Sequence, residues 1–151
     1  MNQSAFDDLT RSFIGLELSR LWRGHGTALF AEVGTLSRTY SRSGRPKADR
    51  SLDFCWCWRV ESQRSILFGS YSSDRRINHG IAALQGLFIE SISVRGRLPE
   101  LSVQLSGGRW ISTFATQESQ PDWTVFLPDG SCLTVRRGAV IRADPSHPIP
   151  K

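Results

Sequence analysis

The sequence lacks the long hydrophobic runs that membrane-spanning segments require. No apolar stretch in its 151 residues approaches the roughly 18 residues that cross a bilayer as a helix. The first residues are polar and acidic, with Asp7 and Asp8 among them, whereas a secretory signal begins with basic residues followed by an apolar segment. Both absences favour a cytoplasmic protein without a membrane role.

Cysteine is scarce, and the three residues present, Cys55, Cys57 and Cys132, cannot all pair within one chain. Cys55 and Cys57 lie two residues apart in a strand-like segment, where a direct disulfide would be strained. A Cys-x-Cys pair is not the spacing that wraps zinc, even if Cys132 with His25 or His79 completed the site. We interpret the three thiols as reduced core residues, and we predict no metal and no cofactor.

Motifs for catalysis and for nucleotide binding are also missing. There is no Gly-x-Ser-x-Gly nucleophile turn and no glycine-rich loop between a strand and a helix. The acids Glu17, Glu32, Glu61 and Glu90 alternate with apolar residues, which is typical of solvent-facing strand positions rather than of a catalytic pair. We predict a protein that is not an enzyme. The alternative is a ligand-binding or hydrolytic β-barrel with a polar pocket around His25.

The positive charge is concentrated in one segment. The net charge is +5, and arginine supplies most of the basic residues. The segment 38–50 contains one acid and five bases, which are Arg38, Arg42, Arg45, Lys47 and Arg50. Because residues 41–51 include no large apolar side chain, we expect a surface loop there. The five basic side chains are the predicted partner contacts.

The second half of the chain repeats the pattern of the first. After a shift of 71 positions, a helical pattern that ends in glycine recurs, with Phe6, Phe13 and Gly15 matched by Ile77, Leu84 and Gly86. A Trp-x-Val strand follows in both halves. We therefore predict a mainly β (α+β) fold of two similar units, about 4–70 and 74–142. Each unit has one helix and about five antiparallel strands, packed as a barrel or a sandwich with pseudo-twofold symmetry.

Local patterns place the elements within a single domain, 1–142, followed by a disordered tail, 143–151. Helices are predicted at about 4–13, starting near Ser4, and at 74–84. A hairpin is predicted around Gly34, joining strands 28–33 and 35–40. The densest apolar pattern predicts one continuous strand over 52–61, with a buried face of Leu52, Phe54, Trp56, Trp58 and Val60.

Four short motifs follow one another in residues 52–70 and 84–135. They are Trp58-Arg59-Val60, Gly69-Ser70, Leu84-Gln85-Gly86 and Trp123-Thr124-Val125. Their succession resembles a family of small bacterial β-rich proteins of unknown function, some of which serve as immunity partners in bacterial toxin systems. The resemblance implies a protein that acts by binding and offers no catalytic residue to carry over. The segment 41–51 is an insertion relative to that pattern.

Together these observations predict a non-enzymatic module that binds another protein, of an immunity or antitoxin type. An internal duplication can replace a dimer, which favours a monomer. The alternative is a nucleic-acid-binding domain that uses the arginine-rich segment 38–50, with bases stacked on exposed aromatic residues. The aromatic candidates for stacking are Trp22, Tyr40, Trp110 and Phe114.

Overall fold

The computed structural model describes residues 1–40, 44–118 and 121–144. The helices are α1 (Gln3–Thr10), followed by a 3-10 turn (Arg11–Phe13), and α2 (Asp74–Leu84). The strands of the first half are β1 (Leu18–Arg23), β2 (Leu29–Val33), β3 (Ser37–Tyr40), β4 (Pro46–Lys47), β5 (Arg50–Phe54), β6 (Trp58–Glu61) and β7 (Ile66–Gly69). Those of the second half are β8 (Ile89–Arg95), β9 (Glu100–Leu105), β10 (Arg109–Thr113), β11 (Trp123–Phe126), β12 (Cys132–Arg136) and β13 (Ala139–Ala143).

Two antiparallel sheets make up a mainly β, sandwich-like fold around one core. The first sheet has the strand order β1-β2-β5-β11-β12-β13, and the second has the order β7-β6-β10-β9-β8. The predicted mainly β class is therefore confirmed, in a sandwich-like form. The barrel alternative is wrong, because each sheet of the described chain is open and ends at two edge strands.

Each sheet contains strands from both halves of the chain. The meander β1-β2-β5 lies in the first sheet, and the chain then crosses to the second sheet for β6 and β7. The second half does the reverse, with β8-β9-β10 in the second sheet and β11-β12-β13 in the first. The halves meet at the β5–β11 and β10–β6 pairs, so that neither sheet is complete without both halves.

The segments that join each helix to its first strand are hydrogen-bonded to each other. Four backbone bonds, each 2.8 Å long, run from Gly15 N to Ile89 O, Gly86 N to Leu18 O, Leu18 N to Leu87 O and Ile89 N to Leu16 O. The shift of 71 residues converts the first of these bonds into the second, because Gly15 corresponds to Gly86 and Leu18 to Ile89. It converts the third into the fourth in the same way. An antiparallel bridge between Glu17 and Phe88 lies at their centre.

The helices pack across the open sides of the sandwich. α1 contacts β8, whereas α2 contacts both β1 and β7. Phe6 of α1 meets the Trp123 ring edge-on at 6.2 Å between centroids. α2 starts as predicted, with the Ser73 hydroxyl accepting from Arg76 N. The first helical segment lies close to the predicted span 4–13, because the 3-10 turn continues α1 to Phe13, but its cap is Asn2 rather than Ser4. Neither helix within the described ranges is long and apolar enough to span a membrane.

The single strand predicted over 52–61 is wrong, because the chain changes sheets within it. β5 ends at Phe54 and β6 begins at Trp58, with Trp56 between them at a φ of 58°. The Cys57 N–H donates to the Cys55 carbonyl at 2.8 Å, which closes a γ-turn of the rare form with a positive central φ. The turn leaves the other four residues of the predicted buried face in the core and brings Trp56 to the surface.

The hairpin predicted around Gly34 is also wrong. β2 pairs with β1 and β5 on its two sides, and β3 pairs with β4 instead. The predicted loop 41–51 contains β4 and the start of β5, while residues 41–43 lie outside the described chain. Within the predicted tail, Ala143 is the last residue of β13, and residues 145–151 lie outside the described chain.

Candidate functional site

The structure describes the side chains of three of the five basic residues predicted as partner contacts, which are Arg45, Lys47 and Arg50. Arg45 and Lys47 are exposed. Arg50 is half-buried, donates from Nε to Ser12 Oγ at 3.0 Å, and lies 5.9 Å from the centre of the Phe13 ring. These contacts join the start of β5 to the 3-10 turn. The Arg38 side chain and the whole of Arg42 lie outside the described residues.

Lys47 lies near two acids on the outer face of the first sheet. Glu32 is only 6% exposed, and its carboxylate accepts a hydrogen bond from Ala48 N at 3.0 Å, so the prediction that Glu32 faces solvent is wrong. Burial raises the pKa of Asp53 to about 7, with a further rise from Glu32, while the Lys47 charge lowers it. The positive charge of Lys47 is thus partly compensated by carboxylates of its own chain.

A pair of exposed aromatic side chains lies where the chain crosses between the sheets. Trp56 is 47% exposed and Tyr71, just after β7, is 77% exposed. Cys57 links them, because it follows Trp56 in the turn and its Sγ lies 3.3 Å from the Tyr71 hydroxyl. We call Trp56, Cys57 and Tyr71 the crossover patch. Exposed apolar side chains that form a patch often mark a binding site.

The backbone of the crossover patch is held from several sides. Thr27 Oγ1 donates to the Trp56 carbonyl at 2.7 Å, and the Trp56 ring lies over Gly26. Cys55 N donates to the Asp122 carbonyl at 2.8 Å. A bulky residue at positive φ is strained, and such strain persists only where surrounding contacts over-determine it. Trp56 is therefore presented in a fixed position.

The three thiols, Cys55, Cys57 and Cys132, are free. Cys57 is buried in the crossover patch, whereas Cys55 and Cys132 are half-buried. Burial, with the nearby charges of Asp53 and Asp122, raises the pKa of Cys55 to about 11. Burial also raises the pKa of Cys132. Both groups are therefore protonated at neutral pH and are poor nucleophiles.

The aromatic residues predicted as candidates for base stacking are half-buried where the structure describes their side chains. Trp22 packs against Phe30 at 5.6 Å between ring centroids, with the Arg20 guanidinium 4.3 Å from its ring. Trp110 and Phe114 are half-buried. The Tyr40 side chain lies outside the described residues. Over residues 1–40, 44–118 and 121–144, no three His, Cys, Asp or Glu side chains are placed to hold a metal ion together.

Comparisons with protein-family models, curated proteins and solved structures found no match to this chain. The resemblance to the small bacterial family therefore stays a prediction. The crossover patch became visible only in the folded structure and was not predicted from the sequence. Sequence reasoning assigned Trp56 to the core and did not single out Tyr71. The available signal for Tyr71 was its place directly after the predicted strand end at Gly69-Ser70.

Proposed function

We propose that this protein is a non-enzymatic module that binds another protein, and that the crossover patch is its main contact. The observation that carries the proposal is the exposed Trp56 indole, held by a strained turn next to Cys57, whose Sγ lies 3.3 Å from the hydroxyl of the exposed Tyr71. Glycine would adopt the positive φ of that turn without strain. A chain that places tryptophan there instead maintains a rigid, exposed aromatic side chain at a conformational cost.

Tryptophan and tyrosine are the residue types that dominate protein-binding energies. Both bury a large area while losing little rotamer freedom, so a fixed aromatic pair binds with a small entropic cost. The hydrogen bond between Cys57 and the Tyr71 hydroxyl limits the motion of the second ring in the same way. These properties suit a partner surface that accepts two aromatic anchors.

We further propose that the two halves are similar units related by an approximate twofold axis through the Glu17–Phe88 bridge. The reciprocal bonds between residues 15–18 and 86–89 support this arrangement. Exchange of strands between the halves favours a rigid monomer, because each half already completes the sheets of the other. A rigid monomer that acts by binding also fits the immunity-type role that the family resemblance implies.

The nucleic-acid alternative has less support. Of the five basic residues, Arg50 is engaged with Ser12 and Lys47 is compensated by Glu32 and Asp53. Phosphate binding needs several free cations, and each contact contributes to a steep dependence of affinity on salt.

A tagged pull-down from the native host tests the proposal. The wild type, with and without nuclease, is compared with a Trp56→Gly/Tyr71→Ser variant. The control is Ile66→Ser/Leu98→Ser, which removes two other exposed apolar side chains (58% and 50% exposed). We expect a stoichiometric protein that survives nuclease to be captured by the wild type and the control and lost by the patch variant. Equal capture by all three, capture of nucleic acid alone, or no capture would overturn the proposal.

A further inference from the structure

We infer that the partner carries an acidic segment, which binds four arginines at the same end of the sandwich as the crossover patch. This inference rests on the proposed function and adds the charge of the partner. We call these arginines the arginine patch. They are Arg95 and Arg97 at the turn between β8 and β9, and Arg136 and Arg137 at the turn between β12 and β13.

Two neighbouring hairpin turns bring the arginine patch together. The turns are in contact, because a Cβ atom at Gly138 in the second turn would lie 3.7 Å from Leu98 Cδ2 in the first. All four arginines are exposed. The two turns therefore present four positive charges to solvent on one part of the surface.

The arginines of this patch have no acidic partner in the part of the chain that the structure describes. None of the four makes an ion pair or a side-chain hydrogen bond there. Glu100 lies opposite Arg95 in the β8–β9 pair, but its carboxylate accepts from Thr113 Oγ1 and Ala115 N instead. A guanidinium without a partner keeps its full set of donors, which match a carboxylate in a bidentate arrangement.

The conformation of Arg137 is a second sign that the patch is more than a solvated surface. Of the described residues other than glycine, Trp56 and Arg137 are the two with a positive φ, and that of Arg137 is 50°. Arg137 and Gly138 form a two-residue hairpin turn with positive φ at both positions, where glycine, asparagine and aspartate are preferred. The chain therefore presents this arginine at a conformational cost, as it does Trp56.

The strand directions place the arginine patch and the crossover patch at the same end of the sandwich. β11 lies between β5 and β12 and runs antiparallel to both. β5 and β12 therefore end on the same side, with Trp56 two residues after β5 and Arg136 the last residue of β12. Two strand spacings separate these strand ends by roughly 10 Å. One partner surface of ordinary size, about 800 Å², covers both patches.

Acids between the two patches favour a protein over a nucleic acid. Asp122 lies there, because Cys55 N donates to its carbonyl and the next residue, Trp123, donates from Nε1 to Pro99 O in the β8–β9 turn. The Glu100 charge acts on Asp122 and raises its pKa. A nucleic-acid backbone with a phosphate at every nucleotide would meet these carboxylates on its way between the patches. A folded protein can instead present acids to the arginines and an apolar contact to Trp56.

Labelled probes of defined charge test the inference without knowledge of the partner. A peptide that alternates glutamate and glycine, an arginine–glycine peptide and a thymidine oligonucleotide of equal charge number are titrated at low ionic strength, where surface charges are least screened. The patch variant is Arg97→Gln/Arg137→Gln. A second variant, Arg95→Gln/Arg97→Gln, leaves the strained turn intact.

The control variant, Arg45→Gln/Arg64→Gln, removes two exposed arginines outside the patch and changes the net charge equally. Arg64 lies in the turn between β6 and β7, and Arg45 precedes β4. We expect the wild type to bind the glutamate peptide most tightly of the three probes. Both patch variants should bind it about five- to tenfold more weakly, whereas the control should stay within about twofold of the wild type.

Three outcomes of the titrations would overturn the inference. They are no binding of the glutamate peptide, equal losses in the patch variants and the control, and tighter patch-dependent binding of the oligonucleotide than of the peptide. The last of these would assign the arginine patch to nucleic acid instead.

Repeating the lysate pull-down with the patch variants separates this inference from the proposed function. If capture depends on Trp56 and Tyr71 but not on the arginines, the crossover patch binds a protein and the acidic segment is wrong. If capture does not depend on Trp56 and Tyr71, the proposed function fails whatever the peptides do. Loss of the captured protein in both the crossover variant and the arginine variants, with retention by the control, supports both.

Discussion

Trp58 and Trp123 make the same kind of hydrogen bond in the two halves of the molecule. Trp58 Nε1 donates to the carbonyl of Thr27 at 2.6 Å, and Trp123 Nε1 donates to that of Pro99 at 3.1 Å. Each tryptophan is the first residue of the strand that follows a crossing, and each acceptor lies in the hairpin turn of the opposite sheet. The two indoles therefore tie the sheets together at both crossings.

Trp58→Phe and Trp123→Phe should each lower the free energy of unfolding by about 1–3 kcal/mol. Both rings are fully buried, and phenylalanine leaves a carbonyl without its donor as well as unfilled volume. Trp22→Phe, at a half-buried position of β1, should cost less. Urea unfolding followed by circular dichroism measures all three. A loss in only one of the two buried positions would contradict equivalent roles for them.

At Trp56, glycine should be more stable than alanine by roughly 1 kcal/mol. Both substitutions remove the indole and its contact with Gly26, but only alanine must hold a side chain at a φ of 58°. The comparison therefore isolates the strain of the turn from the packing of the ring. Thermal and urea unfolding of the two variants would give the difference. Equal stability would mean that the turn relaxes once the indole is gone.

The crossing between the sheets shows where sequence reasoning fails. Alternation correctly predicted the burial of Leu52, Phe54, Trp58 and Val60, because period-two patterning depends only on the residues themselves. No glycine or proline marks the γ-turn between these pairs. The turn is held by Thr27, Asp122 and Phe114, which are distant in sequence. Non-local contacts thus override the local strand preference.

The same limit applies to the basic segment. Its charge was visible in the sequence, and the positions of Arg45 and Lys47 on the surface were predicted correctly. The acids that compensate Lys47 come from β2 and β5, and their proximity depends on the strand pairing. Local turn signals predicted that β2 pairs with β3, whereas β2 pairs with β5. The acids that surround Lys47 therefore could not be predicted from local patterns.

Arg50→Ser and Arg45→Ser should differ in stability although both remove one positive charge. Arg50 loses a hydrogen bond to Ser12 and contact with the Phe13 ring, so we expect a loss of about 1 kcal/mol. Exposed Arg45 should change stability by less than about 0.5 kcal/mol. Urea midpoints of the two variants provide the test. Equal and negligible effects would mean that the Arg50 contacts contribute nothing measurable.

Stability should fall as the pH rises through the range set by Asp53. Its pKa in the folded protein is about 7, against an ordinary value of 3.8, so between these values the folded state binds more protons than the unfolded state. The free energy of unfolding then decreases with rising pH, by at most about 1.4 kcal/mol per pH unit for one group.

The variant Asp53→Asn should flatten this pH dependence and stabilise the protein above pH 7, because the amide has no proton to lose. Part of the slope should remain, since burial also raises the pKa of Glu32 and of Asp122. Asp8→Asn, at an exposed position of α1, is the matched control. Urea unfolding across the pH range measures the slopes, and an unchanged slope in Asp53→Asn would show that another group is responsible.

Gly80→Ala should destabilise the protein by about 1–3 kcal/mol, although alanine is the better helix former by about 1 kcal/mol. A Cβ at position 80 would lie 2.2 Å from the Phe68 ring, and that ring cannot retreat freely because it packs edge-on against Trp58 at 6.0 Å between centroids. In the background Phe68→Leu, Gly80→Ala should cost less, which a double-mutant cycle measures as a favourable coupling.

The control Ala82→Gly, at an exposed position of α2, should lose about 1 kcal/mol of stability through helix propensity alone. A stabilising Gly80→Ala would mean that α2 can move away from Phe68, and hence that the helix is not locked across the β1 and β7 edges.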